Sequence, residues 1–500
     1  MQRPAGIVNI LRLIIGADEQ PNGLTREELM SGETEKLPLR EKIGYGFGDL
    51  ASCLFWMTIM SQLLYFYTDV FGLTGKAAGI MFFVSRVSDA IFDVVIGMFA
   101  DRTKSRWGKF RPYILWGAIP LAIAAVLSFT TPDFAYPGKI AYAYVTFIAF
   151  MFLYSTVNIP YTALLGVISG DPIQRADAAT SKFIGAFLAG IIVSATALPF
   201  AKHFGQGSDA KGWHVTMMIY GVAAVVFFLI TFLSTKERIQ PIAKEKTDVK
   251  RDLQDLSKNV PWIVLFIVTI LFILFVCLRM NVITYYFKYY VGEQEVKLFG
   301  STHKYGFEVL TSAFNTVGQV TSLIGTALIP FIARILGRRK AAIIMFAMAI
   351  VCTGLFYFFK PQDLVWMFVF QVLGTISGGP VSAFFWIMYA DTADYSELKT
   401  GRRATGLVFS ASIMSNKLGW AFGSAAAAFI LDQTGFVPNV IQNASVLSGI
   451  KAMMSIMPAG VGILALILLI LFYKLDEKTM EKVKAELDEK RKTSGQAATA

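Results

Sequence analysis

Three charged residues, Arg86, Asp89 and Asp93, lie midway along an apolar stretch that runs from residue 77 to residue 100. If the stretch is helical, this spacing places all three along one stripe, with the two carboxylates one turn, about 6 Å, apart. Two carboxylates at that separation favour a shared proton or a bound cation. The pattern therefore predicts a cation site. The alternative is an Arg86–Asp89 salt bridge, which leaves Asp93 without a partner on its own helix.

Two further charges lie at the centre of apolar stretches. Lys417, in SIMSNKLGWAFG, can pair with Asp89 or Asp93 and so compete with a bound cation, which would couple the cation to a second event. Arg279, in VCLRMNVITYYF, is followed by Asn281 and two tyrosines. A guanidinium in such surroundings suits a polyhydroxylated or carboxylated solute, and it equally suits a buried ion pair between helices. Both interpretations of Arg279 stay open.

These charges belong to a strongly apolar chain, because 55% of its 500 residues are hydrophobic and only 16% are charged. That composition indicates an all-α integral membrane protein. A charge at a helix centre costs about 2.5 to 3.5 kcal/mol on insertion, so the charged helices are expected to face the interior of a bundle. Twelve windows are long enough to span a bilayer, near residues 46–67, 77–100, 112–130, 140–169, 178–200, 215–234, 260–291, 307–333, 341–358, 364–390, 405–431 and 448–473.

The loops between these windows carry a topology signal. Loops that follow the even-numbered spans contain 20 Lys and Arg residues, against 7 in the opposite loops, which predicts that both termini are cytoplasmic. The longest polar break separates two sets of six spans, a layout typical of transporters with pseudo-symmetric halves. The predicted parts are a tail at 1–40, a bundle at 41–234, a linker at 235–259, a bundle at 260–474 and a tail at 475–500.

Smaller features leave alternatives. The basic turns after spans 2 and 8 resemble each other, either as an internal repeat or because short cytoplasmic loops are generally basic. The first 40 residues read as a mobile tail or an interfacial helix, and the segment KLDEKTMEKVKAELDEKRK as a charged, solvated helix.

Several function classes are disfavoured. The three cysteines lie in apolar runs and the three histidines in polar loops, so neither a disulfide framework nor a metal site is predicted. The net charge of +11 follows membrane topology and does not indicate nucleic-acid binding. The GFGD string that ends at Asp49 has the form of an intramembrane aspartyl protease element, but the Tyr-Asp pair such enzymes also need does not occur. No cofactor is expected beyond a coupling ion.

Six strings in order, YGFGD, YFYTDVFG, RVSDAIFD, ADRTKSRWGKFRP, VNIPY and ADTADYSELKTGRR, resemble the glycoside-pentoside-hexuronide:cation symporter family, to which the melibiose permease belongs. The resemblance runs from about residue 41 to residue 476. It implies the major facilitator fold, alternating access, and symport of a sugar, glycoside or small oligosaccharide with Na+, Li+ or H+ by a monomer in the inner membrane. A lysolipid transporter of the same architecture is the alternative.

The resemblance also implies residue roles. Asp89, Asp93 and Ser155 match the family's cation ligands, Lys417 matches its lysine on span 11, and Arg86 is expected to moderate the charge of the carboxylates. Phe92 replaces a polar residue beside the second carboxylate, which weakens any choice of Na+ over H+. The substrate positions, where the melibiose permease has Lys, Asp, Asp, Trp and Arg, are here Ser52, Cys53, Asn158, Thr162 and Lys182. These departures argue against melibiose itself.

The same resemblance assigns a latch to the predicted cytoplasmic side. Asp101, Arg102 and Arg106 belong to the basic loop after span 2. Asp391 and Asp394 end span 10, close in sequence to Arg402 and Arg403. We expect these groups to hold the two halves in one state. The alternatives are membrane-surface anchoring for the loop and an ordinary solvated helix end for the aspartates.

Overall fold

The computed structural model of the chain describes residues 37–169, 171–238, 256, 258–298, 301–400 and 405–497. The amino-terminal half consists of α1 Leu39–Tyr65, α2 Gly75–Arg102, α3 Arg111–Ser128, α4 Tyr136–Leu164, α5 Pro172–Gly205 and α6 Asp209–Ser234. The carboxy-terminal half consists of α7 Val260–Tyr285, α8 Phe307–Ala327, α9 Ile329–Leu336, α10 Arg338–Leu355, α11 Leu364–Thr400, α12 Thr405–Gln433, α13 Ala444–Met454 and α14 Ile456–Phe472. Helix α15, Glu477–Ala497, follows.

The twelve predicted spans correspond to these helices. Spans 1 to 7 are α1 to α7, span 8 is the pair α8 and α9, bent by 52°, and spans 9 to 12 are α10, α11, α12 and the pair α13 and α14. Among the described residues, eight helices are long and apolar enough to cross a membrane, or nine with the bent pair. Helix α2 falls outside that set because Arg86, Asp89 and Asp93 lie at its centre. The all-α fold class is confirmed.

The first helix of each half ends in the same unusual way. Helix α1 continues into a π-helical turn, Phe66–Val70, and α7 into the π-helical turn Tyr286–Val291. A glycine with positive φ follows each turn, Gly72 at 80° and Gly292 at 70°, a conformation that glycine adopts without a steric penalty. The repeated geometry supports two related halves.

A half-buried carboxylate cap also occurs once in each half. Glu237, which follows α6, accepts the backbone N–H groups of Lys109, Phe110 and Arg111 at 2.7, 2.7 and 3.0 Å. Glu477, which follows α14, accepts the N–H of Arg339 at 3.3 Å. Each carboxylate therefore satisfies donors at the start of a helix that has no side-chain cap of its own. This shared capping supports the interpretation of the similar basic turns after spans 2 and 8 as an internal repeat.

Two features were not predicted. The loop after α7 forms an antiparallel hairpin of β1 Gln294–Leu298 and β2 Ser301–Tyr305, with Gln294 opposite Tyr305. In α15, the side chains of Met480, Val483 and Leu487 are buried, so the prediction of a charged, solvated helix is wrong on this face. Their spacing of three and seven residues places them on one face, which packs against α11. The dense charges on the other faces hid this stripe. The predicted tail at residues 1–36 and most of the linker lie outside the described residues.

Among the described helices, three pairs make the main contacts between the two halves. Helix α2 packs against α12, α5 against α8, and α1 against α7. This arrangement brings Lys417 on α12 to the same level as Asp89 and Asp93 on α2, as the sequence predicted.

Candidate cation and substrate sites

Three helices bring the predicted cation ligands together. The Oγ of Ser155, on α4, lies 2.9 Å from Asp89 Oδ1 and 2.8 Å from Asp93 Oδ1, within hydrogen-bonding distance of both. Lys417 Nζ, on α12, donates to Asp89 Oδ2 at 3.0 Å and also to Asp93. Asp89 is buried, whereas the side chain of Asp93 is 27% exposed. The four residues predicted for cation binding and coupling therefore form one cluster.

The cluster has the charge and the donor atoms of a monovalent cation site. Two carboxylates and one ammonium leave a charge of −1, so one H+ or one Na+ would neutralise the group. Carboxylate and hydroxyl oxygens are hard ligands that suit Na+ or Li+. The Lys417 ammonium lies where it pairs with both carboxylates, so an entering cation must compete with it. Phe92 packs edge to face on Phe152 at 5.2 Å and supplies no ligand.

Arg86 does not form the salt bridge with Asp89 that was the alternative to a cation site. No ion pair within 4.0 Å joins the two among the described residues, and the guanidinium lies 4.6 Å from the Trp56 ring centre. Its Nη2 contacts Met60 Sδ at 2.9 Å. The interpretation of Arg86 and Asp89 as a structural salt bridge is therefore contradicted, and Arg86 adds a buried positive charge close to the cluster in sequence.

The predicted substrate positions of the amino-terminal half surround an aspartate that the sequence analysis did not assign to substrate. Asp49 is buried, 3.8 Å from Lys182 Nζ and 3.9 Å from the Sγ of Cys53. Lys182 donates to Thr162 Oγ1 at 3.3 Å. Thr162 in turn donates to Asn158 Oδ1 at 3.3 Å. The sequence spacing could have identified Asp49. It lies one helical turn before Cys53, and the melibiose permease has a carboxylate at the position of Cys53.

Ser52 and Asn281 are two further residues that the sequence predicted to bind substrate. Ser52 is buried, and its Oγ has no hydrogen-bond partner among the described groups. Asn281 is also buried and donates to the carbonyl of Cys277, one turn earlier on its own helix, at 2.9 Å. Asn281 does not line the cavity described below, so the structure does not place it against a solute.

A cavity of about 440 Å³ lies between the halves, beside α1, α5, α7, α8, α10, α11 and α12. Two tryptophan side chains on its wall, Trp56 and Trp420, offer flat apolar surfaces. The Trp56 ring is itself stacked on Tyr154 at 5.2 Å. Polar groups interrupt this surface at Gln62, Asn315, Gln319, Gln371 and Arg279. An apolar wall with a few placed polar groups is typical of a small-molecule site.

At the end of α1 opposite the termini, a buried ion pair joins the two halves. Asp69 Oδ1 accepts a bond from Lys288 Nζ at 2.8 Å and another from the Tyr289 hydroxyl. Asn439 Nδ2 donates to the Asp69 carbonyl at 2.7 Å and accepts from Lys288 at 2.7 Å. We name Asp69, Lys288, Tyr289 and Asn439 the outer clasp. Sequence reasoning missed it, because charges near span ends are common.

The predicted latch residues do not belong to the outer clasp. Arg338 donates to Asp391 at 2.7 Å, and both belong to the carboxy-terminal half. Arg106 lies over the Trp107 ring at 4.2 Å, and Arg102 is exposed. Asp394, on α11, is half-buried, and Asp101 lies in the last turn of α2. Arg402 and Arg403 lie outside the described residues. The described contacts therefore hold Asp391 within its own half, and a latch that includes Asp101, Asp394 or Arg402 stays a prediction.

A family model described as MFS/sugar transport protein matches residues 44–477. The chain belongs to this family. Among its relatives, the inner membrane symporter YicJ of Escherichia coli strain K12 is 35% identical over 91% of this chain and 96% of its own length. The putative glycoside/cation symporter YagG of the same strain is 33% identical over 92% and 97%. The isoprimeverose transporter of Lactiplantibacillus pentosus is 34% identical over 91% and 92%. The resemblance to glycoside:cation symporters is confirmed.

Solved structures confirm the fold of this MFS/sugar transport protein. The nucleoside transporter NupG covers 88% of the chain with all of its own length, at a TM-score of 0.61 and 14% identity. A bacterial homologue of the human drug peptide transporters PepT1 and PepT2 covers 90% with 99% of its length, at a TM-score of 0.64 and 12% identity. At these identities the likeness shows the fold alone, which is the major facilitator fold of two six-helix bundles.

Proposed function

We propose that this sugar transporter couples the uptake of a sugar, glycoside or small oligosaccharide to the entry of one Na+, Li+ or H+ by alternating access. The observation that carries the proposal is the cluster of Asp89, Asp93, Ser155 and Lys417. Relatives named as glycoside/cation and isoprimeverose transporters support the substrate class. Family membership also argues against an enzyme.

The position of the cluster explains how a cation could drive a conformational change. Asp89 and Asp93 belong to the amino-terminal half and Lys417 to the carboxy-terminal half, so their ion pairs join the two bundles. A cation between the carboxylates weakens the attraction of both for Lys417. Loading the site therefore loosens one link between the halves, which is a physical basis for coupling.

The cavity favours a sugar over the lysolipid alternative. Its amide groups at Asn315, Gln319 and Gln371 can pair with hydroxyl groups, and Trp56 and Trp420 can cover the apolar faces of a pyranose ring. A lysolipid would instead need an apolar slot open to the bilayer. Uptake inhibited by simple glycosides and unaffected by lysolipids fits the proposal, whereas inhibition by lysolipids alone contradicts it.

The remaining assignments complete the proposal. We place the chain in the inner membrane as a functional monomer with both termini in the cytoplasm, because basic residues are concentrated in the loops on that side. With that orientation, the outer clasp lies on the side from which substrate enters. The structure then corresponds to a state in which the two halves are in contact on that side.

The deciding experiment replaces Asp93 with asparagine in proteoliposomes. Asp93→Asn removes one negative charge and should abolish uptake against a gradient, while exchange of labelled substrate across the membrane continues. Asp133→Asn, at an exposed loop, is the matched control and should behave as wild type. Full concentrative uptake by Asp93→Asn would overturn the cation role, and parallel runs with a Na+ gradient or a pH gradient identify the ion.

A further inference from the structure

Trp56, on α1, forms part of the cavity wall and also contacts the helix that carries the two carboxylates of the cation cluster. The guanidinium carbon of Arg86, on α2, lies 4.6 Å from the centre of the Trp56 ring. One turn further along α1, Met60 also lines the cavity, and its Sδ lies 2.9 Å from Arg86 Nη2. Arg86 is not itself a lining residue, so its guanidinium lies behind the part of the wall that Trp56 and Met60 form.

The charge of Arg86 is held by this wall rather than by a carboxylate. Arg86 is 6% exposed, and no carboxylate oxygen lies within 4.0 Å of its guanidinium among the described residues. Asp89 follows three residues later on the same helix, about 4.5 Å along the axis, and opposite charges attract strongly where water is excluded. The position of the guanidinium therefore depends on two competing attractions, one to the carboxylates and one to the Trp56 ring.

The Trp56 ring also contacts the helix that supplies the cation cluster with its hydroxyl group. It stacks on the ring of Tyr154, on α4, with the ring centres 5.2 Å apart. Tyr154 directly precedes Ser155, whose hydroxyl lies within hydrogen-bonding distance of both carboxylates. Trp420, the other tryptophan of the wall, lies three residues after Lys417, but among the described residues no cationic side chain lies over its ring. Trp56 is therefore the better placed of the two to respond to the cation.

Building on the proposed symport, we propose that Trp56 is a positioning residue that links occupancy of the cation site to sugar binding. A bound Na+, Li+ or H+ adds one positive charge to the cluster and weakens the attraction of its carboxylates for Arg86. The guanidinium then holds the face of the Trp56 ring more firmly. A ring that is already fixed in place loses no further rotamer freedom when a sugar packs against it. The bound cation should therefore raise the affinity for sugar.

The size of this effect follows from the freedom of one side chain. Immobilising a side chain that has several rotamers lowers the affinity of a binding reaction by about two- to tenfold. The affinity for sugar should thus rise by about that factor when the cation binds. Because coupling between two binding sites is reciprocal, sugar should raise the affinity for the cation by the same factor, which we call the coupling factor.

Calorimetry on the purified full-length protein measures the coupling factor. Binding of methyl β-D-glucoside, methyl β-D-galactoside and methyl β-D-xyloside is titrated in choline buffer at alkaline pH, in the same buffer with saturating Na+ or Li+, and in choline buffer at mildly acidic pH, which loads H+. Wild type should show a coupling factor of about two to ten with one of these cations. Trp56→Leu should reduce the coupling factor to about one, and Trp56→Phe, which keeps an aromatic face for Arg86, should retain part of it. Asn315→Ala, which alters the same cavity from α8, is the matched control and should lower the affinity in every buffer with the coupling factor unchanged.

Arg86→Met gives a second test that leaves the lining of the cavity intact. It removes the charge that contacts Trp56 and should also bring the coupling factor to about one at saturating cation. The double variant Arg86→Met with Trp56→Leu should lose no more than either single variant, since both changes interrupt the same contact. If Trp56→Leu binds no glycoside, Arg86→Met alone decides between the two results.

The outcomes separate this link from the proposed function. A wild-type coupling factor that survives in Trp56→Leu or in Arg86→Met overturns the role of Trp56 and leaves sugar symport standing. If wild type binds a glycoside equally well with and without Na+, Li+ and H+, the link is overturned and the sugar site stands. A wild type that binds none of the three glycosides overturns the proposed sugar function itself and the link with it.

Discussion

The outer clasp should hold the two halves together at the end of the bundle opposite the termini, and Asp69→Asn tests this. The side chain of Asp69 is fully buried and that of Lys288 is 15% exposed, so the ion pair is well shielded from water. Removing one partner of a buried pair costs about 3 to 5 kcal/mol, because the other charge is left unpaired. Asparagine can still accept from Tyr289, so we take the lower end, about 3 kcal/mol. At 1.4 kcal/mol for each factor of ten, the ratio of joined to separated halves should fall about a hundredfold.

The assay measures the distance between the halves directly. Spin labels at two exposed positions at that end, Asp133 in the loop before α4 and Thr302 in strand β2, report one population for wild type and a second, longer distance for Asp69→Asn. The three native cysteines are replaced by serine in all samples. Glu293→Gln removes an exposed ion pair with Lys304 at the same end and should leave the distance unchanged. The double variant Asp69→Asn with Lys288→Met should shift less than Asp69→Asn alone, since no unpaired charge remains. An unchanged distance in Asp69→Asn would refute the reasoning.

Two further predictions follow from hydrogen bonds at the cation cluster and the helix starts. Ser155→Ala removes the hydroxyl that lies within bonding distance of both carboxylates and should weaken cation binding about tenfold. Ser88→Ala, whose hydroxyl bonds within its own helix, is the control, and equal cation affinities in a titration would contradict the role of Ser155. Glu237→Gln replaces a charged acceptor of three backbone N–H groups by a neutral amide and should destabilise the protein by about 2 to 4 kcal/mol, against about half of that for Glu477→Gln, which accepts one described backbone bond. Thermal unfolding in detergent measures both, and equal losses would show that the bonds do not set the effect.

The sequence predicted the cation cluster because buried charges are costly and have few ways to be satisfied. Asp89, Asp93 and Lys417 are conspicuous because they are charged and lie at mid-span. Once the helices form a bundle, few arrangements other than their pairing avoid leaving these charges unpaired in the membrane. Asp69 and Lys288 were not conspicuous, since charges at span ends face water in most membrane proteins and their burial depends on how the halves close.

The rotation of side chains around a helix and the density of charged residues account for two other differences between prediction and structure. Asn281 is only two residues from Arg279, yet two residues turn a helix by about 200°, which directs Asn281 away from the cavity that Arg279 lines. In α15 the buried stripe of Met480, Val483 and Leu487 is interrupted by so many Lys and Glu residues that composition alone indicated a solvated helix. Burial on one face needs only one residue in three or four.

The paired carboxylate caps have a consequence for how the polypeptide could be divided. Glu237 binds the start of α3 before the chain reaches residue 239, and Glu477 binds the start of α10 after the last span. In each bundle, the glutamate that follows the last span thus binds the start of the third span. Two separately synthesised fragments, divided between residues 239 and 255, would each retain this contact, and the covalent link between the bundles would then act by raising their local concentration.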